Sequence, residues 1–159
     1  MKPIQRSYTT TIQKLLKLFP CVAVLGARQV GKTTLLKQTL PSVPFFDLEN
    51  NQIYQRITAD PLFFLENYKP DTPIIIDEAQ LSPELFQALR IKIDEHRNVK
   101  GRFLISGSSS PELLKNVSES LAGRVAILEL GGLLWHEALE REVSPIYNII
   151  FLRIKILQI

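Results

Sequence analysis

Gly26-Ala27-Arg28-Gln29-Val30-Gly31-Lys32-Thr33 satisfies the phosphate-loop pattern G-x-x-x-x-G-K-[ST] without a mismatch. Such a loop captures a polyphosphate. Gly26 and Gly31 let the backbone turn tightly and approach a ligand with no Cβ in the way. Successive N–H groups and the N-terminus of a following helix, entered through Thr34, then point at phosphate oxygens. Lys32 offers a point charge to the β- and γ-phosphates, and the Thr33 hydroxyl can ligate Mg²⁺. A chance match in a chain this long is on the order of one in a few hundred, given ordinary residue frequencies. The pattern predicts that the chain binds a nucleoside triphosphate.

A second group of chemical residues ends the run Ile74-Ile75-Ile76-Asp77-Glu78. A hydrophobic strand closing on an acid places the carboxylate at the C-terminal edge of a parallel sheet, where ligands of open α/β sheets bind. Asp77 is placed to hold the Mg²⁺ that Thr33 also meets, through water, since Mg²⁺ keeps several of its waters. Glu78 is placed to orient and partly deprotonate a water attacking the γ-phosphate. A third polar element is expected from the strand lying between these two in space. Phe103–Ser106 followed by Gly107-Ser108-Ser109 fits, with either Ser106 or Ser108 sensing the γ-phosphate or positioning the water, or with an ordinary Gly-Ser turn as the alternative.

The elements that must carry these groups are legible from periodicity. Ile12, Leu15, Leu16 and Phe19 fall at i, i+3, i+4 and i+7, which predicts a helix over about 7–18, ended by Pro20. Val22–Leu25 is the first strand, and a helix leaves the loop as far as about Leu40. Val43–Leu48 reads as a short strand whose Pro44 marks a sheet edge. Asn51–Ala59 reads as helix, and Asp60-Pro61 opens another in the cap-then-proline arrangement, ending near Tyr68. Ile74–Ile76 is a strand buried on both faces. Ser82-Pro83 and Ser110-Pro111 cap further helices, Gly101 separates helix from strand, and Val125–Leu130 is the fifth strand. Leu133–Glu142 reads as a final helix. Strands alternating with helices predict a parallel sheet with helices on both faces.

Composition bounds the rest. A chain of 159 residues, 45% hydrophobic, suffices for one domain with a real core. The net charge of +3 is small and its 19 basic residues are scattered. No footprint of a dedicated nucleic-acid binder results, although a pI of about 9.1 leaves weak DNA contact open. The single cysteine, Cys21, excludes a disulfide framework and reads as a small buried hydrophobe. No targeting segment and no apolar run of spanning length is visible, so a cytoplasmic protein without membrane partners is expected. His96 and His136 have no partner at metal-ligand spacing, Trp135 reads as a packing residue, and Asp47 as the cap of a turn.

The segments GARQVGKTTLL, IIIDEAQ, FLISGSS and SLAGRV, in that order, resemble the P-loop domain of a prokaryotic AAA+-like ATPase family. The resemblance covers about residues 5–140. It implies an α/β P-loop NTPase fold of three layers with a mainly parallel, about five-stranded sheet, and ATP with Mg²⁺ as ligands. By the same resemblance Gly26–Thr33 is Walker A, Asp77-Glu78 is Walker B, and a sensor-type serine follows the fourth strand. Arg124, just before the fifth strand, falls where such proteins carry an arginine finger, which AAA+ geometry delivers from a neighbouring subunit of a homo-oligomer. Capping or pairing with a surface carboxylate is the alternative for Arg124. Arg28 matches an arginine of the family, with no role derived from it.

Organisation follows as an N-terminal helical region over 1–20, an ATPase core over 21–143 and an atypical apolar tail over 144–159. The family pairs its core with a C-terminal domain, whereas here the tail reads as a final strand or as the product of a truncated or shifted frame. Two functions compete: an ATP-hydrolysing domain, for which Glu78 argues, and a nucleotide-gated interaction module, or a remnant of a longer ATPase, with little or no turnover.

Overall fold

The computed structural model describes residues 8–132 and the backbone of 153–156. Helix α1, Tyr8–Leu18, buries Ile12, Leu15 and Leu16, the face that the i, i+3, i+4 spacing marks. Strand β1, Cys21–Gly26, is buried along its whole length. It runs into the loop and then into α2, Lys32–Thr39. A short β2, Phe45–Asp47, precedes α3, Asn51–Ala59, and α4, Pro61–Glu66. Asn50 and Asp60 cap these two helices through their side-chain oxygens, and Pro61 occupies the first turn of α4. Strand β3, Ile74–Asp77, is followed by a 3₁₀ turn, Ala79–Leu81, and by α5, Glu84–Glu95. Strand β4, Phe103–Ser108, α6, Pro111–Leu121, and β5, Val125–Leu130, complete the alternation.

The sheet order is β2-β3-β4-β1-β5-β6, with β1 to β5 all parallel. From β1 the chain crosses to the β2 edge, returns through β3 and β4, and then places β5 on the far side of β1. Neighbours of β1 therefore come from opposite directions, and a crevice opens outside its carboxyl end. Strand periodicity divides the core into two layers. Cys21, Ala23 and Leu25 pack with α3 to α6 through Ile57, Phe64, Phe86, Leu89 and Val117. Val22 and Val24 pack on the opposite face with Ile12, Leu16, Leu35 and Leu36 of α1 and α2. Burial on both faces is why β1 and β3 read as unbroken apolar runs. The result is the three-layer α/β fold that the sequence implies.

Three points differ from the sequence reading. The sheet has six strands rather than about five: β6, Arg153–Ile156, joins antiparallel to β5, in keeping with the final-strand alternative for the apolar tail. Its sequence alternates charged and apolar residues, which suits a sheet edge. Ser82 does not cap α5 with its hydroxyl: Pro83 is the cap residue, and Ser82 instead accepts from Leu85 N–H through its backbone carbonyl. Strand β4 runs two residues past Ser106, to Ser108. The helix expected over Leu133–Glu142, with Trp135 and His136, lies outside the described residues.

Candidate functional site

The loop after β1 takes its shape from three backbone positions. Gly31, at φ 90°, is the residue before α2, and Gln29 lies at φ 63°. Left-handed backbone is strained for a residue with a Cβ. Gly26 answers a different demand: a Cβ there would lie 2.5 Å from the Leu130 carbonyl oxygen and 3.1 Å from a Val30 methyl. Ala27, Arg28, Gln29 and Thr34 are exposed, while Lys32 is buried. The Lys32 ammonium donates to the carbonyls of Gly26 at 3.2 Å and Ala27 at 3.0 Å, so its charge sits over the concave side of the loop.

Asp77 closes β3 at 1% exposure, and both its carboxylate oxygens are engaged. Oδ2 accepts from the Thr33 hydroxyl at 2.5 Å. Oδ1 accepts from the Ser106 hydroxyl and from the Glu78 N–H, the latter at 3.2 Å. The register explains the triad: β4 lies between β1 and β3, and Ser106 follows Ile105, the partner of Ile76. Ser106 therefore stands level with Asp77, and Thr33 meets the same carboxylate from the start of α2. The two candidate serines meet the site in different ways. Ser106 makes the side-chain contact, and Ser108 enters through its backbone N–H.

Glu78 leaves the strand at φ 55°. Among the described residues the two non-glycine positions with positive φ, Gln29 and Glu78, both belong to this site. That conformation turns the Glu78 carboxylate back towards the loop, with Oε1 4.0 Å from the Lys32 ammonium. Its other oxygen, Oε2, accepts from the Gln80 side-chain amide at 2.5 Å. Gln80 is the residue that the sequence pattern misses. It stands two positions after Glu78, a spacing that brings side chains together only because a left-handed residue and a 3₁₀ turn intervene.

Arg124 is not brought to this site. Its residue precedes Val125, the partner of Cys21, so it lies at the amino edge of the sheet, a strand length from Gly26. The guanidinium grips Asp94 bidentately, Nε to Oδ1 and Nη2 to Oδ2, each at 2.8 Å, and Nη1 donates to the Ala122 carbonyl at 2.8 Å. Asp94 also faces Arg97 and Arg90. The Arg124 hydrogen bonds hold the Asp94 carboxyl below the usual carboxylate range, and the same bonds raise the already high Arg124 value. Asp47 is paired in register with Asp77, yet its carboxylate accepts from Glu49 N–H at 2.9 Å and shapes the turn after β2. Burial pushes the Cys21 thiol far above its usual value, which removes it as a nucleophile.

Thr33 and Asp77 present oxygen donors beside a phosphate-shaped loop, and among the described residues no three His, Cys, Asp or Glu gather into a ligand set. A hard cation held by few protein oxygens and several waters matches Mg²⁺ in its chemistry. No helix among the described residues is long and apolar enough to cross a membrane.

Known proteins resemble this chain at two levels. In sequence, the chain is 43% identical over 131 residues to Rv2008c of Mycobacterium tuberculosis and equally to Mb2031c of Mycobacterium bovis. That match takes in 81% of this chain, which spans 29% of the length of each relative. In structure, it is similar to the Walker-type ATPase PABY2304 of Pyrococcus abyssi, at a TM-score of 0.57 and 17% identity over 89% of this chain and 60% of the other. A similar likeness, TM-score 0.57 at 17% identity, joins it to the STAND protein PH0952 of Pyrococcus horikoshii over 87% of this chain and 25% of that one. At these identities the structures speak for the fold alone. The family model of the AAA domain matches residues 19–139, a stretch that holds the loop, the Thr33–Asp77–Ser106 triad and Glu78, and the chain therefore belongs to the AAA-domain family of P-loop ATPases.

Proposed function

We propose that this chain binds ATP with Mg²⁺ and hydrolyses it. The observation that carries the reading is the convergence of Thr33, Asp77 and Ser106 beside the loop, with Glu78 next to Lys32. Loop N–H groups and Lys32 would bind the phosphates, since backbone donors at a helix N-terminus favour negative charge. Thr33 and Asp77 would hold Mg²⁺, which would supply positive charge against the negative charge that develops during phosphoryl transfer. Ser106 fixes one oxygen of Asp77, so the carboxylate keeps its orientation towards Thr33. Glu78, kept off its own strand by its backbone turn, would orient the attacking water and accept its proton. ATP is chosen over GTP on family resemblance, and no guanine-reading N/T-K-x-D sequence occurs.

Arg124 belongs to this proposal only in trans. In its own chain it is bound to Asp94 at the opposite sheet edge, so a finger role requires a second copy that places Arg124 at this site. Work driven by hydrolysis would reside in segments that the mycobacterial relatives have beyond the matched length. The test is steady-state phosphate release by wild type and Glu78→Gln under saturating Mg-ATP. Turnover should fall about 10²–10⁴-fold in Glu78→Gln, the range of general-base catalysis, with ATP still bound. Equal rates would leave the nucleotide-gated switch as the better description.

A further inference from the structure

Within the hydrolytic reading, on which this inference rests, Glu78 must hold one direction while standing on a single left-handed residue. A glutamate has three rotatable side-chain bonds, and the Lys32 contact at 4.0 Å is too long for a hydrogen bond. Gln80 supplies the missing constraint. Its Nε2 donates to Glu78 Oε2 at 2.5 Å, and its Oε1 accepts from Ser108 N–H at 3.3 Å. The two ends of one planar amide thus join the carboxylate to the terminal residue of β4. Donor and acceptor chemistry fixes the amide orientation, because a carboxylate only accepts and an N–H only donates. A shorter asparagine cannot span both, and a glutamate at the same place would set carboxylate against carboxylate.

A second observation, made on a different element, points to the same residue. A Cβ at Gly107 would lie 2.3 Å from Gln80 Oε1 and 2.6 Å from a Leu113 methyl. Gly107 carries no positive φ, so its backbone does not require glycine; the room it leaves is filled by Gln80 and Leu113. Strand β4 therefore contributes twice over three residues: Ser106 orients Asp77, and the Gly107-Ser108 end seats the amide that orients Glu78.

We propose that Gln80 is a positioning residue for hydrolysis, holding the Glu78 carboxylate in register with the end of β4. It touches neither nucleotide nor water in this assignment and acts through Glu78. Its removal should lower the rate of the chemical step without weakening ATP binding.

The experiment combines single-turnover hydrolysis, kcat and ATP affinity in wild type, Gln80→Ala, Glu78→Gln and the double variant, with thermal melting of each. Gln80→Ala should lose about ten- to a hundredfold in kcat, a fraction of the general-base contribution, while its ATP Kd stays within about twofold. In the Glu78→Gln background the same change should cost nothing further, since residues acting as one unit are not additive. Gly107→Ala, which displaces the amide from the other side, should reproduce the kcat loss. Wild-type kcat in Gln80→Ala would overturn the proposal and leave the hydrolytic reading intact. So would equal losses in kcat, ATP affinity and melting temperature, or a full extra loss in the double variant. Wild-type turnover no faster than Glu78→Gln would instead defeat the hydrolytic reading, and this assignment with it.

Discussion

The two edges of the one parallel sheet handle charge in opposite ways. At the amino edge three acids, Glu66, Asp94 and Glu95, meet a base with good geometry. Asp94 is gripped bidentately by Arg124, and Lys92 joins Glu66 at 3.0 Å and Glu95 at 2.9 Å. Arg102, also buried, donates to the Lys92 carbonyl and stacks on Phe103. These hydrogen-bonded partners outweigh the burial of Lys92, raising its pKa and lowering those of Asp94 and Glu95. At the carboxyl edge two consecutive carboxylates, Asp77 and Glu78, are met by hydroxyls, amides and a lysine at 4.0 Å. Backbone in the left-handed region, costing on the order of 1–3 kcal/mol per residue, accompanies them. One edge spends its charges on holding the fold, and the other keeps them oriented by neutral donors at some cost in strain. That contrast separates a structural arginine pair from the constellation proposed to act on ATP.

The sharpest way to break the comparison is at Lys32. Removing its ammonium should cost about 2–5 kcal/mol of ATP affinity, tens- to thousands-fold in Kd, because among the described residues no other side-chain cation hydrogen-bonds to the loop carbonyls. Calorimetric titration with Mg-ATP measures it, and equal affinity in Lys32→Ala would remove the loop from the site. Next in size is Asp77→Asn, expected to weaken the Mg²⁺ dependence of binding by about ten- to a hundredfold, as loss of a metal-orienting group commonly does. ATP titrations across a range of Mg²⁺ concentrations would show it, and an unchanged Mg²⁺ requirement would count against Asp77 as the metal carboxylate.

At the amino edge the effects should be smaller and fall on stability. Arg124→Ala should lower unfolding free energy by about 1 kcal/mol, the upper part of the range for partly exposed pairs, and leave ATP affinity unchanged. Urea denaturation and titration read the two quantities. If Arg124 serves a neighbouring copy, wild-type turnover per subunit will rise with protein concentration and Arg124→Ala will abolish that rise. A rate independent of concentration and unaffected by the substitution would confine Arg124 to Asp94. The smallest effect concerns pH. Asp94 has a depressed folded-state pKa, so its stabilisation is present above the ordinary carboxylate pKa and is lost as pH falls through the lower folded value. The stability gap between wild type and Arg124→Ala should therefore close in acid, and a gap that persisted there would assign the loss to packing.

Much of this molecule was legible because its signals are local. The loop pattern, the apolar runs of β1 and β3, the Asp60-Pro61 and Ser110-Pro111 caps and the amphipathic face of α1 depend on residues a few positions apart. Asp77 and Glu78 were legible for the same reason, since a buried strand ending in acids marks a sheet edge. Even the intermediate position of β4 could be anticipated from the need for a polar group between loop and acid. The finger role of Arg124 was legible only as a resemblance; pairing with a carboxylate was the alternative, but that its partner is Asp94, thirty residues away, belongs to no sequence pattern.

By itself, then, the sequence determined the order of strands and helices, the phosphate loop and the acids that face it. Each follows from propensity, hydrophobic period or backbone freedom, which are properties of neighbouring residues. Tertiary structure alone decided that Ser106, not Ser108, reaches Asp77 with its side chain, because a side chain's direction depends on strand register. It also decided that Gln80 holds Glu78, because that contact needs a left-handed turn, a 3₁₀ segment and the space above Gly107 at once. And it set Arg124 a strand length from the loop, since the two ends of a parallel strand lie on opposite edges of the sheet however close they stand in the chain.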